Sequence, residues 1–144
     1  MKRKSKKSRS AFTLIEVVVV IVILVTLASI ATPLYMNYLR KAKRDAAVMG
    51  VSNIKEAVNK FHLDTSRYPE SLDELVKRPD EDESWGGPYL EKVPKDPWNN
   101  DYEYRKTDNK DRPFEIICYG ADGQPGGEGD DADIKYPEDA DEDK

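Results

Sequence analysis

The stretch "AFTLIEVVVVIVILVTLASIATPLYM" limits this chain more than any other part of it. From Phe12 to about Met36 it is apolar and rich in Val and Ile, and Glu16 is its one carboxylate. As a helix it would rise roughly 37 Å at 1.5 Å per residue, more than a hydrocarbon core of about 30 Å. Val and Ile favour strands in water, but in lipid a single segment satisfies its own backbone only as a helix. Pro33 removes one backbone donor near the far end and is expected to kink the helix or loosen a turn. Glu16 poses the question. A carboxylate at bilayer depth costs about 2.5–3.5 kcal/mol or more and marks a functional site by default.

The rest of the chain is of a different kind. Charged residues make up 35% of the 144, and the formal net charge is −5. The leader, residues 1–11, carries only positive charges. A basic flank beside an apolar run points to membrane topology rather than nucleic-acid binding, with the leader cytoplasmic and the globular part outside. A secretory signal peptide has the same order of parts, but its apolar core usually runs about 7–15 residues, so a retained span is expected. Cys118 is the single cysteine, which excludes an internal disulfide and a Cys-based zinc site; the lone His62 excludes a histidine metal cluster.

Beyond Pro33 the helix pattern turns amphipathic over residues 37–61. Val48, Val51, Ile54, Val58 and Phe61 recur at steps of three and four, with Lys41, Lys43, Arg44, Lys55, Glu56 and Lys60 as the solvated remainder. One helix running from membrane into water is the simplest reading, and its apolar stripe needs a cover. Tyr68-Pro69 ends it, and Glu70 or Ser71 opens a short helix with Leu72, Leu75 and Val76 on one side. "YEYR" and "FEIICYG" alternate as two strands joined by a hairpin loop, "KTDNKDRP". Trp85, Tyr89, Trp98, Tyr102 and Tyr104, set among turn residues, are expected to cover the stripe. Cys118 reads as a buried small hydrophobe and His62 as a helix-end or core residue. The architecture is α+β, a long N-terminal helix on a small antiparallel sheet. The expected parts are 1–11 leader, 12–36 span, 37–134 globular domain, and 135–144 a disordered acidic tail.

"YGADGQPGGEGDDADI" holds Asp122, Glu128, Asp130, Asp131 and Asp133 among five glycines. Hard oxygens on a bending loop suit calcium, which takes carboxylates and carbonyls alike. The spacing is not that of an EF-hand. Composition alone leaves a solvated acidic loop as the plainer reading.

The apolar run resembles the N-terminal signature of type IV pilins and type II secretion pseudopilins. That resemblance implies a membrane peptidase cutting between Ala11 and Phe12, and a methylated Phe12 at the new N-terminus. It places Glu16 fifth in the mature chain and Pro33 where the family has its helix-softening proline. Ala11 departs from the family's Gly, but it is also small. Before the cut Glu16 is expected to lack a fixed partner. After it, the Phe12 amine of a neighbouring copy would pair with Glu16 and favour a staggered stack of helices, a contact that propagates into a filament.

"RYPESLDELV", "WGGPYLEKVPKDPWNNDYEYR" and "YGADGQPGGEGDDADI" occur in the order seen in the major pseudopilin family of type II secretion systems, and the resemblance runs from Phe12 to Ile134. It implies calcium in the C-terminal loop, with Asp122 and Asp133 as side-chain ligands and either Asp130 or Asp131 as a third. Tyr119 and Gly127 are candidates for carbonyl donors, and Glu128 is expected to face water. It further implies a structural subunit and not an enzyme. Its partners would be copies of itself, minor pseudopilins, a prepilin peptidase, an inner-membrane assembly platform and a cytoplasmic ATPase. The anchor would lie in a bacterial inner membrane with the C-terminal domain in the periplasm, and the polymer would drive export of folded proteins. Two alternatives are a type IV pilin for adhesion, motility or DNA uptake, and a membrane-tethered enzyme or calcium-dependent binding module. The latter lacks a held acid–base pair.

Overall fold

The computed structural model describes residues 12–80 and 82–138. Element order is α1 (Leu14–Thr65), a short 3-10 helix (Leu72–Leu75), β1 (Glu103–Lys106), β2 (Phe114–Cys118) and β3 (Ile134–Tyr136). The chain divides into two compact units between Leu39 and Arg40. The apolar run and the amphipathic stretch belong to one 52-residue helix, with Pro33 inside it.

In the first unit α1 is long and apolar enough to cross a membrane by length and composition, and none of its most apolar window is buried. Three of its hydroxyls turn back on the helix. Thr26 Oγ1 donates to the Val22 carbonyl at 2.7 Å, Ser29 Oγ to Thr26 at 2.7 Å, and Thr32 Oγ1 to Ala28 at 2.8 Å. Each is the local side-chain-to-backbone bond that Ser and Thr make within a helix.

In the second unit the buried face of α1 is Ala47, Val51, Ile54, Ala57, Val58 and Phe61. The expected stripe began at Val48, but that side chain is 50% exposed. The stripe was read from large apolar residues, whereas the face also runs through small ones where other groups come close. Gly50 shows the reason: a Cβ there would lie 2.0 Å from the Tyr102 hydroxyl oxygen. The helix ends at Thr65 as Ser66 takes a left-handed φ of 56° and donates to the His62 carbonyl. Arg67 then reaches Glu74 at 2.8 Å and Asp82 at 2.9 Å, and its guanidinium lies over the Phe61 ring.

The sheet has the order β1-β2-β3, all antiparallel. In the centre, β2 buries Phe114, Ile116, Ile117 and Cys118. Tyr102 is buried against the helix face, and Trp85, Tyr89, Trp98 and Tyr104 are partly buried around the core, as their interleaving with turn residues implied. The expected hairpin joins β1 to β2, but β3 is an addition. Its residues Lys135 and Tyr136 pair with Ile117 and Ile116, so the sheet takes in the start of what was read as a disordered tail. The cause is Ile134, a core residue that draws the chain back to the sheet edge.

Candidate functional site

Two sites follow from the sequence, one in each unit. At the head of α1, Thr13 precedes the helix and Glu16 is its third residue. The Thr13 amide and hydroxyl donate to Glu16 Oε2 at 2.8 and 2.9 Å, and the Glu16 amide donates to Thr13 Oγ1 at 3.3 Å. This reciprocal arrangement is a capping box, which satisfies backbone donors that a helix start leaves open. The expectation that Glu16 has no fixed partner in the uncut chain is therefore corrected: it has one three residues away. The signal was legible as Thr-x-x-Glu in "TLIE". Phe12 is 86% exposed. Ala11, and with it the expected cut, lies outside the described residues.

The second site is the loop from Tyr119 to Asp133, between β2 and β3. Gly120 takes a φ of 65°, and a Cβ on it would meet the Asp130 and Asp131 backbone at 2.7 Å. Only glycine lets the two ends of the loop come this close. The Ala121 amide donates to the Asp130 carbonyl at 2.9 Å and locks that approach. Gly127 also abuts the Asp131 backbone. Asp122 is exposed and accepts from the Gln124 amide at 3.1 Å. Asp133 has a side chain only 10% exposed, and both its oxygens accept from the Gly126 amide at 3.1 Å. Asp130 pairs with Arg40 at 3.0 Å. Asp131 is half-buried, and Glu128 faces solvent as expected. The Tyr119 hydroxyl bonds Glu103, which lifts the phenol pKa above its ordinary value.

The fit to calcium is partial. Among the described residues no three Asp, Glu, His or Cys side chains converge as a metal-holding group. Asp122 and Asp133 are turned to loop amides, Asp133 also to Lys135 at 3.6 Å, and Asp130 to an arginine. What fits is the chemistry of the donor set: carboxylates and a folded-back backbone within one short segment. An ion here would take much of its coordination from carbonyls, as calcium accepts.

Three supports of this loop were missed in the sequence. Arg44, read as solvated, is half-buried, and its Nη1 donates to the carbonyls of Gly129 at 3.2 Å and Ala132 at 3.3 Å. Arg40, one turn earlier, holds Asp130. On the other side Asn100 Nδ2 donates to the Gly120 carbonyl at 3.1 Å. Asn100 is itself fixed by Asp96, which is 5% exposed and accepts the Trp98 amide at 2.9 Å and the Asn100 amide at 2.8 Å on Oδ1. The Cys118 thiol lies 3.4 Å from Asp96 Oδ2, and burial pushes its pKa up to about 11. Cys118 is thus the buried small side chain expected, uncharged at neutral pH and poorly suited to nucleophilic attack.

Comparison with known proteins bears on the fold and on the apolar helix. The family described as "Type II secretion system (T2SS), protein G" matches residues 34–137, and the "Prokaryotic N-terminal methylation motif" matches residues 6–32. A type II secretion system core protein G of Vibrio cholerae is 39% identical over 108 residues, covering 71% of this chain and 73% of that protein. Proteins of the same name from Pseudomonas aeruginosa and Xanthomonas campestris are 39% and 37% identical, covering 71% and 67% of this chain and 76% and 67% of their own. The crystal structure of the major pseudopilin from the type 2 secretion system of enterohaemorrhagic Escherichia coli matches with a TM-score of 0.57 at 27% identity, over 70% of this chain and 91% of that one. With a helix long enough to span a membrane, a three-stranded antiparallel sheet and a match over most of its length, the chain belongs to the type II secretion system protein G family, that of the major pseudopilin.

Proposed function

We propose that this chain is the main structural subunit of a periplasmic pseudopilus, anchored in a bacterial inner membrane before it polymerises. Its work is assembly and not catalysis. Its helix would stack with those of other copies while the second unit forms the outer surface, and the growing fibre would push folded proteins towards the outer membrane. Minor pseudopilins, a membrane platform, a prepilin peptidase and a cytoplasmic ATPase would be its partners. One observation carries the reading: a protein G match over residues 34–137 directly follows a methylation motif over residues 6–32. The same match favours secretion over the adhesive or motile type IV pilin. Mass spectrometry of the chain from its native membrane tests it. The expected N-terminus is a methylated Phe12 with the leader gone; a fully retained leader on assembled material overturns the reading.

We also propose that calcium binds the loop between β2 and β3. Asp122 and Asp133 would supply carboxylates, Asp130 or Asp131 a third, and Tyr119 and Gly127 carbonyls. The donor chemistry supports this, and the carboxylates would leave their present loop partners to reach the ion. A ligand that binds only the folded state stabilises it by about 2.7 kcal/mol at a hundredfold excess over its dissociation constant. Melting of the full chain in detergent is therefore expected to rise with calcium relative to chelator, and Asp122→Ala to remove most of that rise. Identical melting in both conditions rules the site out.

A further inference from the structure

We infer that Arg44 is the positioning residue of the β2–β3 loop: a resident cation that holds the loop in shape without metal and thereby sets how readily calcium completes it. The second half of this statement rests on the calcium reading above; the first does not.

The geometry is specific. The loop carries four aspartates and a glutamate between Ala121 and Asp133, so its own charge drives it apart. Two arginines one helical turn apart on α1 oppose this at one short segment. Arg40 meets the Asp130 carboxylate, and Arg44 meets the carbonyls of Gly129 and Ala132 on either side of it. The two contacts differ in weight. The Arg40 pair is exposed, with side chains 59% and 36% accessible, and surface pairs of this kind are weak. Arg44 is half-buried between two surface hollows of about 270 and 400 Å³, both walled by the loop. Its bonds go to backbone, so they fix the course of the chain and not one side chain. Both bonds leave one nitrogen, Nη1, whose two N–H directions are fixed in the guanidinium plane, whereas a lysine ammonium rotates and is more strongly hydrated. Ala132 lies two residues before Ile134, where the chain enters the core, so holding it also delivers β3 to β2 in register.

Preorganisation then works on affinity. If the binding-competent loop is only fractionally populated, apparent affinity falls by that fraction. Losing a charged donor to two carbonyls is enough to raise local opening by roughly tenfold or more.

The test uses the full chain in detergent micelles, following amide exchange with chelator present. Arg44→Ala is expected to speed exchange at Ala121 and Gly126, the amides that close the loop, by about tenfold, with a smaller change at Ile116 in the central strand. Arg44→Lys should lie between. Calcium half-saturation of Arg44→Ala should move to higher concentration. Unchanged exchange at Ala121 and Gly126 overturns the inference. So does tighter calcium binding in Arg44→Ala, because it would make the guanidinium a competitor of the ion and not a support. If the unsubstituted chain shows no calcium response, the calcium reading fails alone and the exchange measurement still decides the role of Arg44. If Arg44→Ala does not fold, Arg44→Lys carries the same measurement, and unchanged exchange in that variant overturns the guanidinium assignment.

Discussion

Glu16→Gln is expected to stop filament growth while leaving both the helix and the folded second unit intact. The substitution separates two roles. Glutamine serves in a capping box as glutamate does, so the Thr13 contacts at 2.8 and 2.9 Å survive in kind, and only the charge is lost. A carboxylate in the bilayer without a cation costs about 2.5–3.5 kcal/mol. Relief of that cost by an incoming amine would favour the aligned register about a hundredfold. Glutamine gains nothing from the amine and has no reason to choose the register. Electron microscopy of fibres from cells making equal amounts of each chain checks this. Fibres of normal length and number with Glu16→Gln would sink the charge-pairing idea, and Glu16→Ala would then show whether the cap alone matters.

Asp96→Ala is expected to cost about 3 kcal/mol or more of the stability of the second unit. Asp96 is buried, and one of its oxygens receives two backbone amides, at 2.9 and 2.8 Å. Deleting the acceptor leaves both part-buried donors without it, and a group left unsatisfied costs up to about 1–3 kcal/mol. The damage spreads, because Asn100 would lose the grip that aims its side chain at the Gly120 carbonyl. Asp96→Asn keeps an acceptor oxygen and is expected to lose less. Denaturant melts of the two variants decide it; an alanine variant within about 0.5 kcal/mol of the parent would mean that the turn stands by itself.

The parts of this molecule legible in the sequence are those where one physical demand dominates. A run of some two dozen apolar residues in lipid has a single backbone solution, so α1 could be read directly. The β1–β2 hairpin announced itself by alternation. Val48 misled because apolar size was taken for burial, while the true face includes Ala47, Gly50 and Ala57, where the opposite wall comes close. β3 stayed hidden because three residues cannot display a period, and its pairing depends on a loop whose closure is tertiary. Arg44 was passed over for a related reason. A charge on a helix is solvated by default, and only contacts 85 and 88 residues away show otherwise. The capping box is the exception: Thr13 and Glu16 stood in plain view, but the cost of an acid in lipid drew attention to distant partners before near ones.

The inward-turned hydroxyls of Thr26, Ser29 and Thr32 carry a further consequence. Their bonds are complete within the rod itself, so these three side chains ask nothing of what they touch. Moving such a segment from acyl chains into a bundle of its own kind would not require any of the three to be prised from one acceptor and delivered to another. Such a transfer would then turn on shape, on the exposed phenols of Tyr35 and Tyr38, and on the carboxylate at the tip.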